Sequence, residues 1–187
     1  SFAKDHFKWN HENCQFANKS PSELLKDKIG NSAEINLWLV GALRTVGLAA
    51  DPLVLSTRKH GKILMDYPFS CDFNTVVAYT IIDGKPVLAD ATDPFCPNNR
   101  IQMQYMNDKG LVVNKDNMAW ISLQSPVISA LSTSIRIKTT ENLQQAHLIS
   151  TASDYEALWY RNNYANNRKE LLNSLSKKNY QVEDSSL

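Results

Sequence analysis

The chain has 187 residues, 43% of them hydrophobic, with 20 basic against 19 acidic side chains for a net charge of +1. That suits one domain, or one domain and part of a second, with enough apolar material for a sizeable core and little scope for disorder. The balanced charge advertises no nucleic-acid or membrane-surface partner, and no apolar run approaches the roughly 20 residues that span a bilayer.

The chain opens Ser-Phe-Ala-Lys-Asp-His without an initiator Met or a signal-peptide pattern, so a processed chain or a cut fragment is expected. The cysteines are Cys14, Cys71 and Cys96, an odd number with no C-x-x-C. The histidines (His6, His11, His60, His147) lack the helical spacing of a metal site. Neither a metal nor another cofactor is expected.

Taken in order, residues 1–17 read as a helix or an irregular segment carrying Phe2, Phe7, Trp9 and Phe16. Ser20-Pro21-Ser22-Glu23 carries a cap, a first-turn proline and a capping-box glutamate, which predicts a helix from Pro21 to Lys28 that Gly30 ends. Asn31, with Glu34 three residues on, opens a second helix running to Val46. Ile35, Leu37, Trp38, Leu39, Val40, Ala42 and Leu43 cover nearly every face, which predicts a central helix buried all round.

Pro52 to Thr57 reads as a strand, and Lys59-His60-Gly61-Lys62 as a turn. Phe73–Ile82 and Lys85–Ala91 predict a hairpin around Asp83-Gly84, the favoured two-residue turn. Residues 96–110 read as loop, followed by short strands at Gly110–Asn114 and Met118–Leu123. A boundary is expected near Ser125-Pro126, dividing the chain into 1–125 and 126–187. Beyond it, Ser134–Thr140 and Gln145–Thr151 read as strands. Asp154–Lys177 reads as one long helix, with Tyr155, Leu158, Trp159, Leu171, Leu172 and Leu175 as its core face. Two strands and a helix bury too little to be stable alone. The segment is expected to be the truncated start of a β-containing region, and the fold class of the whole is α+β.

The helix opening Gly30-Asn31-Ser32-Ala33-Glu34, the strand start Phe73-Asn74-Thr75 and the stretch Leu88-Ala89-Asp90-Ala91-Thr92-Asp93-Pro94 resemble the transglutaminase-like superfamily. The likeness covers roughly residues 1–125 and is nearest to bacterial members of unknown function with a further β-rich C-terminal domain. It implies a papain-like core, with the central helix packed on an antiparallel sheet. In that family a cysteine opens the helix, a histidine follows an aromatic-Asn pair, and an aspartate follows the hairpin. Carried over, the acid falls on Asp90, the nucleophile position on Ser32 and the base position on Thr75.

A serine hydroxyl needs an adjacent base, and threonine cannot take and return a proton at neutral pH. The resemblance therefore implies a degenerate triad and a non-catalytic binding or scaffolding module, receiving peptide or glycan in the inherited groove. It also implies an exported bacterial protein of the periplasm or cell envelope. One rival is a cysteine peptidase or acyltransferase with its thiol relocated to Cys71 and His60 as base; another is a purely structural spacer. Each residue also has a plain reading: Asn31 and Ser32 as helix-start residues, Thr75 as a strand residue, Asp90 in a strand-end turn, and His60 as an exposed turn histidine.

Overall fold

The computed structural model describes residues 2–116, 118–125, 127–141 and 144–176. It is a mixed α+β structure that divides into two units, Ser1–Pro126 and Val127–Leu187.

The first unit opens with helix α1 (Phe2–His6) and strand β1 (Lys8–Trp9). Helix α2 (Pro21–Asp27) follows, then β2 (Ile29–Gly30), which pairs in parallel with β1. Both halves of the Ser20/Glu23 capping box are formed, and Lys28 stops α2 in the left-handed conformation. The β1–β2 pair has no counterpart in the sequence reading. Two residues a side are too few to show a period.

Helix α3 (Ser32–Thr45) is capped by Asn31, with Glu34 completing its capping box. It lies against a five-stranded antiparallel sheet made of β3 (Ala50–Leu55), β4 (Thr75–Ile82), β5 (Lys85–Ala89), β6 (Lys109–Val112) and β7 (Ala119–Ser122). Their order in the sheet is β5-β4-β3-β6-β7. Asp83 and Gly84, at φ 52° and 73°, make the β4–β5 turn with two left-handed residues, as the type I′ hairpin requires.

Each face of the sheet carries its own core. Leu53, Leu55, Val77 and Val112 pack with Ile101, Tyr105 and Leu123 on one side. Ala50 and Ala78 meet Val40 of α3 on the other. A third cluster joins Ala3, Phe7 and Leu24 to Ile35 and Ala91. The expectation that α3 is buried all round fails over its second half. Ser32 to Asn36 and Val40 are buried, whereas Gly41, Arg44 and Thr45 are exposed. Trp38 is only half-buried, between the rings of Phe2 and Phe7. Apolar content marks a helix for packing, but α3 meets the sheet mainly at β4 and β3, which cover only one side of it.

In the second unit, β8 (Leu131–Thr139) and β9 (Gln144–Ala152) form a two-stranded antiparallel sheet. The long helix expected over Asp154–Lys177 is two helices, α4 (Asp154–Tyr164) and α5 (Arg168–Leu175). Asn167 breaks the run because its side chain accepts from the Glu170 amide and starts a new helix. Tyr155 and Leu158 are buried; Trp159 and Leu175 of the expected core face are exposed. Lys177 lies outside the described residues. No helix among the described residues is long and apolar enough to cross a membrane.

Candidate functional site

The start of α3 is built from local polar chemistry. Asn31 Oδ1 accepts from the Glu34 amide at 2.9 Å, and Glu34 Oε2 accepts from the Asn31 amide at 2.9 Å. Glu34 Oε1 takes two more backbone donors, Asn18 N at 3.1 Å and Lys19 N at 2.9 Å. A buried carboxylate thus meets three amides at a positive helix end, which offsets the cost of removing its charge from water. Gly30 makes room for it: a Cβ there would lie 2.8 Å from Glu34 Oε2 and 2.7 Å from Leu24 Cδ1.

These bonds hold residues 10–19 as a strap over the helix end, and Ser32 lies under it. Ser32 Oγ accepts from Cys14 N at 2.8 Å and donates to Cys14 O at 3.0 Å. It also accepts from Thr75 Oγ1 at 2.8 Å. Ser32 and Thr75, 43 positions apart in sequence, are therefore direct partners. Both are fully buried, and Asp90 is nearly so at 1% exposure.

Asp90 reaches α3 through Asn36, one helical turn beyond Ser32. Asn36 Nδ2 donates to Asp90 Oδ1 at 3.0 Å and to Val76 O at 2.8 Å, and Asn36 Oδ1 accepts from Ala91 N at 2.9 Å. Thr92 adds its amide at 3.0 Å and its hydroxyl at 2.7 Å, again to Oδ1. All three donor groups converge on one oxygen, and Oδ2 is buried with no partner among the described residues. Burial pushes the Asp90 carboxyl above the usual carboxylate range, against the opposing pull of its hydrogen bonds and of Lys4. Burial also raises the Tyr105 phenol, whose hydroxyl donates to Asn13 Oδ1 at 3.1 Å. The same effect, with Asp90 nearby, lifts the Cys96 thiol to about 12.

The chemistry this cluster can do is limited. The Ser32 proton is directed at a carbonyl oxygen, which cannot carry it away. No imidazole touches the hydroxyl, and the strap separates it from solvent. Asn36, Cys14, Tyr105 and Thr92 complete the cluster and were not marked as site residues by the sequence reading. Asn36 could have been: it is a polar residue inside an apolar run, at the i+4 position that shares a helix face with Ser32. Cys14 and Tyr105 could not, because neither local pattern nor periodicity links them to position 32.

Cys71 and His60 also approach one another, through the backbone. His60 Nε2 donates to the Cys71 carbonyl at 2.9 Å. The imidazole proton on that nitrogen therefore points to the main chain, not to sulfur. Cys71 is exposed, in a single 3₁₀ turn (Ser70–Asp72). That position offers none of the helix-dipole help a catalytic thiolate draws on.

A cleft of about 350 Å³ lies beside the closed cluster, lined by Gln15, Phe16, Leu37, Pro52, Val54, Ser70, Phe73, Val76 and Val113. Neither Ser32, Thr75 nor Asp90 lines it. No lining residue is charged, and the two polar ones are paired, with Gln15 Nε2 donating to Ser70 O at 2.8 Å. The chain matches no family model, no curated protein and no solved structure.

Proposed function

We propose that the chain is a non-catalytic binding module of the transglutaminase-like type, with a papain-like core and a degenerate triad at Ser32, Thr75 and Asp90. The supporting observation is the state of Ser32: it is fully buried, and its hydroxyl takes part in three hydrogen bonds, none to a base. Asp90 fits the same reading, since a carboxylate that once oriented an imidazole would be left with an unpartnered oxygen when a shorter side chain replaces the ring. The ligand enters the cleft beside Phe16, Leu37 and Val113. Peptide is favoured over glycan, because a sugar would lose its water partners against an uncharged wall with few polar groups to replace them. A periplasmic or cell-envelope setting belongs to this proposal through the family resemblance alone.

Two measurements test it. Peptide and amine-acceptor substrates are incubated with the protein and with Ser32→Ala; turnover that vanishes in the variant refutes the non-catalytic reading. A library of extended peptides with apolar side chains is then screened for retention. Capture that Leu37→Arg or Val113→Arg abolishes supports the cleft, and no capture at all leaves the structural spacer as the better description.

A further inference from the structure

Between β3 and β4 the chain runs from residue 56 to 74 with one 3₁₀ turn as its only regular element. Connections of that length inside a compact unit are uncommon, and are usually either functional or disordered. This one is anchored at its base. The Gly61 carbonyl accepts from Ser56 Oγ at 2.7 Å and Asn107 Nδ2 at 2.6 Å. The Cys71 carbonyl accepts from His60 Nε2, and the Phe69 amide donates to Asp72 Oδ2 at 2.9 Å. At the tip, Tyr67 N donates to Leu64 O at 3.1 Å, closing a turn.

On that anchored frame the large apolar side chains point outward. Leu64 is 70% exposed, Tyr67 76% and Phe69 63%. Side chains that exposed protrude rather than line a hollow. Arg58, Lys59 and Lys62 stand exposed along the preceding stretch. Lys59 and Lys62 have no ion-pair partner among the described residues, whereas Arg58 donates through Nε to Met106 O. The opposing charges are Asp66 at the exposed tip and Asp72, already bonded to the Phe69 amide. Asp108 and Lys109, which line the small recess with Ile63 and Met65, offset each other.

We propose that the loop of residues 58–69 is a docking element for an anionic lipid surface, with Leu64, Tyr67 and Phe69 entering the headgroup–acyl boundary and Lys59 and Lys62 meeting the headgroups. The near-zero net charge of the whole chain conceals this local arrangement. A protein partner would have to supply a hollow shaped to three protruding side chains. A bilayer boundary accepts such tips without a shaped complement, and aromatic rings with a polar end settle there. The cations settle the lipid class, since basic residues beside an inserted apolar group favour anionic headgroups. Asp66 works against entry, which gives the proposal a signed prediction of its own.

The test is flotation of the full chain with vesicles of phosphatidylcholine containing phosphatidylglycerol, and with pure phosphatidylcholine. The protein floats with the first and weakly with the second. Lys59→Glu with Lys62→Glu lowers partition to the anionic vesicles by roughly 25-fold or more, at about fivefold for each lysine lost. Leu64→Ser, Tyr67→Ser and Phe69→Ser together abolish it, and Asp66→Asn strengthens it severalfold. Val46→Ser, at an exposed apolar residue just past the end of α3, leaves it unchanged. All seven positions are on the surface, and thermal melts confirm that each variant is folded. Failure of the unaltered chain to float with either vesicle overturns the proposal. So does undiminished flotation of the triple serine variant, which reduces the effect to adsorption by charge alone.

Discussion

Replacing Ser32 by alanine removes one oxygen and strands several partners. Thr75 Oγ1 loses its acceptor at a fully buried position, and Cys14 N loses its acceptor under the strap. The Cys14 carbonyl loses a donor but keeps a second lone pair for other partners. An unsatisfied buried donor costs about 1–3 kcal/mol. With Thr75 counted in full and the half-buried Cys14 discounted, Ser32→Ala should cost about 2–4 kcal/mol. Thr75→Val alone should cost less, because valine is isosteric and suits a strand, and Ser32 keeps both its bonds to Cys14. In the double variant the Thr75 donor no longer exists to be stranded. The two losses should therefore fall short of their sum by about 1–2 kcal/mol, a coupling expected for residues in one network. Urea unfolding with an unchanged slope reads all four corners of the cycle. Additive losses, or a cost for Ser32→Ala below about 0.5 kcal/mol, would show that the hydroxyl pair is not a buried contact and that the closed cluster has been misread.

Burial raises the Asp90 carboxyl, so between its unfolded value and its higher folded value the native state holds the extra proton. Its stabilising contribution is whole below the unfolded value, near 3.8, and is lost as pH rises through the folded one. Stability of Asp90→Asn relative to the unaltered chain should thus increase with pH across that window; urea midpoints of both proteins that run parallel with pH would contradict this. At Gly110 an added Cβ would collide with Leu53 Cδ2 in the sheet core, so Gly110→Ala should cost about 1–3 kcal/mol by overpacking, seen as a lower denaturant midpoint. A thiol placed by Ser32→Cys, with Thr75→His as its base, should alkylate more slowly than the exposed Cys71, because position 32 is covered by the strap. Iodoacetamide labelling followed by peptide mapping checks the order of the two sites. Residues 127–187 expressed alone should show no cooperative melt, since β8 and β9 form a two-stranded ribbon exposed on both faces.

Several features were settled by the sequence through short-range physics. The capping boxes at Ser20 and Asn31 formed because cap, glutamate and amide lie within one helical turn. The β4–β5 hairpin followed from two residues that tolerate positive φ. Asn167 ended one helix and began another by the same local chemistry, and that signal was present in the sequence but outweighed by the apolar spacing around it. Tertiary structure alone decided the rest. Which half of α3 is covered depends on which strands and N-terminal residues pack against it, and residue order does not state that. The meeting of Ser32 with Thr75 could be expected from resemblance. The arrival of Cys14 on the same oxygen could not, because it depends on a strap fixed by Glu34 to amides 15 and 16 positions away. Nor does any pattern in the chain mark the buried Asp90 Oδ2 as lacking a partner among the described residues. Hydrogen bonds within a turn are selected by neighbouring residues, whereas burial and long-range partners are set by where separate segments pack.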